Sequence, residues 1–230
     1  MAPRVVDLSY VLSPETPLFP VYDPVQVADK FAAAADGFYV RSWTFDEHSG
    51  THVDAPAHFA EGAATVDRIE PGELVLPIAV LDVQERLGGD PDGTVIPDDV
   101  LAYERRHGPL PDRCAVFALT GWGERADDPA AYLNADEAGM LHSPGFSSDV
   151  TEFLKAERPG VRAIGLDTAS LDPGESSDFA AHVSWLPSGR YGIENLANLD
   201  RLPAAGATVV VGVPRYEAGS GGPARILALI

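Results

Sequence analysis

Residues 48–58 read His-Ser-Gly-Thr-His-Val-Asp-Ala-Pro-Ala-His, so three of the chain's six histidines fall in one short segment. His48, His52, Asp54 and His58 share parity. Side chains of an extended chain alternate between faces, so a strand would point all four the same way. A helix serves worse, because Asp54 would swing away from His48 and His52. Gly50 and Pro56 also oppose a regular helix. Imidazole nitrogen and carboxylate oxygen without thiolate form a ligand set for zinc, manganese or a similar divalent ion.

Three nearby ligands seldom complete a metal centre, so the other histidines matter. His107 sits among arginines before Gly108-Pro109 and reads as surface. His142 opens a loop that could line a pocket. His182 lies in an apolar stretch, with Glu194 twelve residues on. An unpaired carboxylate among apolar residues is costly. A metal would partner Glu194, and so would Arg190 or Arg225; spacing does not choose.

The elements that must position these residues read as many short strands. Apolar runs at 5–12, 39–45, 74–83, 114–120, 161–166, 207–213 and 224–230 are separated by glycine and proline. Tyr39, Trp43 and Phe45 would share one strand face leading straight into the histidine segment. Residues 98–106 suit a short helix with Asp98 as N-cap, and 147–157 a second helix. Residues 192–199 read as a turn of helix or an irregular link. The loop 13–20 is rigid and proline-rich. Thr51 is expected to tether its loop through its hydroxyl. Trp122 and Trp185 are expected to be packing residues before pocket walls. With no linker visible, 1–230 is expected to be one α+β domain on a mixed sheet.

Composition narrows the partners. The chain has 230 residues, 45% hydrophobic, with a net charge of -19. Such acidity disfavours nucleic acid and anionic membrane surfaces. No segment approaches a membrane span, and the first residues lack the apolar run of a signal peptide. The one cysteine, Cys114, sits in an apolar run and reads as a buried hydrophobe; a cytoplasmic location is the expectation.

The segment from His48 to His58 matches every fixed position of the His-x-Gly-Thr-His-x-Asp-x-Pro-x-His signature. It therefore resembles the cyclase family of metal-dependent hydrolases, which includes kynurenine formamidases and isatin hydrolases. Residues 164–172, 194–200 and 221–225 are similar to that family too, so the likeness spans nearly the whole chain. The resemblance implies a swivelling β/β/α fold with a mixed or barrel-like sheet. It implies His48, His52 and Asp54 as ligands of a first ion, with His182 and Glu194 completing a second where two are held. It implies His58 as the proton donor and acceptor, off the metal. It places an aromatic cover over the substrate at the loop holding Phe19, although Phe-Pro-Val-Tyr stands where relatives often carry Trp-Pro-Gly-Asp. A homodimer or larger homo-oligomer is implied as well.

The expected chemistry is hydrolysis of an amide in a small aryl formamide or cyclic amide, by metal-bound hydroxide with His58 as general acid and base. A tailoring cyclase or lactone/lactam hydrolase of secondary metabolism would use the same groups. A non-catalytic metal-binding protein would leave His58 without a task.

Overall fold

Strand β5 (Val75–Asp82) shows how the architecture is built. Leu76, Ile78 and Val80 enter one apolar cluster, while Ala79 and Leu81 enter another on the opposite face. Burial on both faces is what an apolar run of this length specifies. Its parallel neighbours β7 (Cys114–Leu119) and β9 (Val161–Leu166) are equally apolar and buried.

The computed structural model describes residues 4–230. The remaining strands are β1 (Val5–Asp7), β2 (Gln26–Phe31), β3 (Val40–Thr44), β4 (His52–Asp54), β6 (Thr94–Val95), β8 (Gly145–Phe146), β10 (Tyr191–Glu194), β11 (Ala207–Gly212), β12 (Gly221–Pro223) and β13 (Arg225–Leu229). Nine strands form one sheet in the order β1-β13-β11-β5-β7-β9-β10-β4-β12. The run β5-β7-β9-β10 is parallel and the other pairings are antiparallel, so the sheet is mixed. Val6, Val209 and Ile226 from one end share a cluster with Val53 and Ile193 from the other. The sheet therefore curls over its own core, yet its end strands β1 and β12 do not pair.

Besides the short helices α1 (Ala33–Asp36), α2 (Gln84–Leu87) and α4 (Pro129–Leu133), the other face is covered by α3 (Pro97–His107), α5 (Ser148–Glu157) and α6 (Ala180–Trp185), which contribute Val100, Val150, Leu154 and Trp185. Ser147 caps α5 by accepting the Val150 N–H. The start of α3 differs from expectation. The N-cap position is Ile96, and the Asp99 carboxylate accepts its N–H at 2.8 Å. Asp98 lies inside the first turn, because Pro97 is pre-set for the first helical position.

Three further expectations are corrected. Residues 48–58 are not one strand: only β4 is extended, and the positive φ of Gly50 (+62°) bends the chain ahead of it. Pro56–His58 then forms a 3-10 turn. Residues 192–199 are a link only in part: Tyr191–Glu194 is a fully buried strand paired with β9 and β4, 195–198 are irregular, and a 3-10 turn begins at Leu199. The strand expected over 39–45 is shorter, Val40–Thr44, so Tyr39 and Phe45 fall outside it, and it pairs with β2 in a two-stranded sheet apart from the one that carries β4.

Candidate metal centre

Strand β4 lies between β10 and β12, antiparallel to both. Alternation sends Val53 into the core and leaves His52 and Asp54 on the wall of a cavity. In the β10 pairing, Glu194 is the register partner of His52. Helix α6 supplies His182, and the two bends flanking β4 return His48 and His58 to the same cavity. Thr51 holds the first bend: it donates to Asn195 O at 2.6 Å and accepts the Tyr10 N–H.

Hydrogen bonds decide which nitrogen each histidine presents. His52 Nδ1–H donates to Gly50 O at 2.8 Å, which turns Nε2 inward. His182 Nδ1–H donates to the Asp172 carboxylate, which also accepts the Ala181 N–H at 2.6 Å and the His182 N–H at 3.2 Å. His182 Nε2 therefore faces Glu194 Oε1 at 3.1 Å and Asp54 Oδ2 at 3.5 Å. His52 Nε2 lies 3.3 Å from Asp54 Oδ1 and 3.3 Å from Glu194 Oε2. His48 Nδ1 is 2.7 Å from Asp54 Oδ1.

His52 Nε2 and Asp54 Oδ2 are buried without a hydrogen-bond partner. Such orphans are costly unless something fills the gap between them. Ligand atoms of His52, Asp54 and Glu194 lie within 4.8 Å of one another, and so do those of His48, Asp54 and His58. Nitrogen and carboxylate donors around a buried gap fit a divalent cation.

The electrostatics agree with that fit. Burial opposes charge on His52, yet the Asp54 and Glu194 carboxylates override it and raise its pKa to about 10. Burial likewise opposes charge on His182, and hydrogen bonds to Asp172, Asp54 and Glu194 hold its pKa well above the ordinary range. Asp54 is held well below the carboxylate range against burial, chiefly by His52. Carboxylates that stay ionised while buried, and that hold positive charge on the imidazoles beside them, form a site that favours a cation. His58 differs: burial dominates and lowers its pKa to about 4, despite the Asp54 carboxylate.

The cavity holds about 270 Å³. His48, His52, Asp54, His58, His182 and Glu194 line it together with Phe19. Sequence reasoning missed the rest of the wall. Tyr22 stacks on His48 with centroids 5.8 Å apart, and Phe59 stacks on His182 at 4.7 Å. Phe179 sits 5.8 Å from Phe59 and 6.3 Å from Phe19. Phe59 abuts the histidine segment and Asp172 ends the family-like stretch 164–172, which are signals; Phe179 offers none beyond nearness to His182. Among the described residues, no lysine or arginine lines the cavity.

The remaining candidates lie elsewhere. Arg190 donates to backbone carbonyls of Val161 and Pro159, and Arg225 pairs with Asp7 at 2.7 Å, so neither reaches Glu194. His142 pairs with Asp92, and His107 is exposed at the end of α3. Trp122 and Trp185 are buried, each donating its indole N–H to a backbone carbonyl. Cys114 is buried, and its thiol pKa is pushed up to about 12 by burial.

Residues 6–173 match the Cyclase family, described as "Putative cyclase", and the chain belongs to that family. The chain is 36% identical to isatin hydrolase of Roseibium aggregatum over 243 residues, covering 99% of this chain and 92% of that protein. A crystal structure of an isatin hydrolase bound to the product analogue thioisatinate superposes with a TM-score of 0.91 at 34% identity, covering 98% of this chain and 92% of the other. Kynurenine formamidase of Bordetella pertussis is 28% identical over 195 residues, covering 78% of this chain and 76% of that enzyme.

Proposed function

We propose that this protein is a metal-dependent hydrolase of C–N bonds outside peptides, and that it opens a neutral, planar, aromatic cyclic amide. One observation carries the choice of substrate. An aromatic-walled cavity without a cationic side chain sits directly on the histidine and carboxylate cluster. A flat uncharged ring stacks favourably against such walls. Among the described residues no lysine or arginine lines the cavity to pair with the carboxylate of an amino-acid side arm held away from the cluster. The kinship with isatin hydrolases supports the same reading.

His48, His52, Asp54, His182 and Glu194 would hold one or two divalent ions, with zinc or manganese suiting the nitrogen and oxygen donors. Asp54 faces His48 and His52 through Oδ1 and His182 through Oδ2, as a carboxylate shared by the ligand set would. When bound, a divalent ion supplies Lewis acidity, lowering the pKa of water to about 7 and polarising a carbonyl.

His58 performs the proton transfers. Its lowered pKa keeps the imidazole neutral at pH 7, so it can accept a proton from the attacking water. A carbon–oxygen bond forms at the carbonyl, the carbon–nitrogen bond breaks, and His58 hands the proton to the departing nitrogen. The product acid ionises and releases one proton per turnover. Phe19, Tyr22, Phe59 and Phe179 orient the ring and exclude water.

The test is turnover of isatin against N-formyl-L-kynurenine by Mn²⁺- or Zn²⁺-loaded protein, with a chelated control. A preference for the cyclic amide supports the reading; preference for the formamide would refute the substrate class, and inactivity on both would refute the hydrolase itself.

A homodimer is part of this proposal. The β2–β3 hairpin is exposed on nearly all positions and displays Phe31, Phe38, Tyr39, Val40 and Trp43. An isolated hairpin is marginal in water, so a second copy is the natural cover for it. Among the described residues, no helix is long and apolar enough to cross a membrane.

A further inference from the structure

His48 carries a feature that the ligand set does not require. Its Nε2, turned away from the cluster, lies 2.9 Å from Ser220 Oγ. Ser220 Oγ is in turn 2.6 Å from Glu47 Oε2, which also accepts the Ser220 backbone N–H at 2.9 Å. A serine hydroxyl has one hydrogen, and a carboxylate only accepts. The Ser220 hydrogen therefore goes to Glu47, and its lone pair must accept from His48. That places a hydrogen of His48 on Nε2, so in the neutral imidazole that ligates a metal Nδ1 is the bare nitrogen, 2.7 Å from Asp54 Oδ1. Two acceptors facing each other at that distance call for a cation between or beside them.

The backbone is shaped to allow this contact. Strand β12 passes so close to the ring that a Cβ on Gly221 would lie 2.6 Å from His48 Cε1 and 2.4 Å from Val53 O. Glycine there lets Ser220 reach the far nitrogen of His48.

We infer that Glu47 and Ser220 are positioning residues that fix the tautomer of His48, so that it ligates through Nδ1 while His52 and His182 ligate through Nε2. This rests on the metal-centre reading given above. Outer partners of this kind change metal affinity by roughly 10–100-fold when removed.

The test uses the full chain and Zn²⁺ alone. Affinity is measured by competition with a chromophoric chelator for wild type, Ser220→Ala, Glu47→Gln and Ser220→Thr. The tautomer is read from histidine ¹⁵N shifts of the Zn²⁺-loaded wild type, which does not depend on any variant folding. The expected results are a His48 with pyrrole-type Nε2 and a roughly tenfold or greater loss for Ser220→Ala. Glu47→Gln should lose less, and Ser220→Thr, which keeps the hydroxyl, should bind within about threefold of wild type. A His48 protonated on Nδ1, or Ser220→Ala binding Zn²⁺ like wild type, would overturn the inference alone. A wild type that binds no Zn²⁺ would overturn the metal-centre reading and this inference with it.

Discussion

His52 and Glu194 stand opposite each other in the antiparallel pairing of β4 with β10, with His52 Nε2 3.3 Å from Glu194 Oε2. The sequence positions are distant, but the register makes them neighbours. Asp54, two residues along β4, presents its carboxylate to His52, His48 and His182. It is the common member of the cluster, so its loss should be the most damaging single change. Asp54→Asn should weaken Zn²⁺ or Mn²⁺ binding by about 100-fold or more and abolish turnover, since a carboxamide is a far poorer ligand. Chelator competition and a turnover assay check both.

His58→Ala should separate binding from catalysis. Removing a general acid–base group costs about 10²–10⁴-fold in rate. Metal content, measured on the same preparation, should stay at the wild-type value. Retained turnover, or lost metal, would show that His58 has been assigned the wrong task.

Phe179→Ala should act on substrate binding. Phe179 adjoins Phe19 and Phe59 on the cavity wall. An aromatic contact contributes about 1 kcal/mol, so KM for an aromatic cyclic amide should rise roughly fivefold while kcat changes less. Steady-state kinetics on wild type and variant decide this.

Stability has an acid-sensitive clamp. Arg158 donates twice to Glu104, joining α5 to α3, and holds the Glu104 carboxyl below its ordinary range. A lowered folded-state pKa means that the stabilisation is present at neutral pH and is lost as pH falls through the folded value. Glu104→Gln should therefore lower stability by up to about 1 kcal/mol at pH 7, a modest figure because the pair is partly solvated. At pH 3 the difference from wild type should shrink. Urea melts at the two pH values test the sign.

The hairpin should govern assembly. Trp43→Arg combined with Tyr39→Asp places charge on a surface that the proposed dimer buries. Light scattering should show a dimer for wild type and a monomer for the double variant, with the fold retained by circular dichroism. A monomeric wild type would remove the hairpin from the proposal.

Much of the site was legible because its chemistry is local. Histidines 48, 52 and 58 and Asp54 are close in sequence, and their types alone pointed to a metal. A common strand was expected, yet Gly50 and the turn at Pro56–His58 bend the chain, and only His52 and Asp54 share strand alternation. Strand β10 was misread because Gly192, Glu194 and Asn195 break an apolar pattern. Its identity depends on pairing with β9 and β4, which is a long-range fact. The core strands β5, β7 and β9 were legible because burial on both faces demands uninterrupted apolar runs. Tyr22 and Asp172 lie inside segments that resemble the family, but their own roles depend on contacts across the fold; Phe179, Glu47 and Ser220 are illegible because nothing in their local sequence distinguishes a surface side chain from one that meets the site.

The most direct measurement is elemental analysis of protein purified without an affinity metal column, paired with turnover before and after chelation. The expected result is one or two equivalents of a divalent transition ion per chain, with activity lost on chelation and restored by adding the ion back. Full turnover of a cyclic amide by metal-free protein would contradict the central claim.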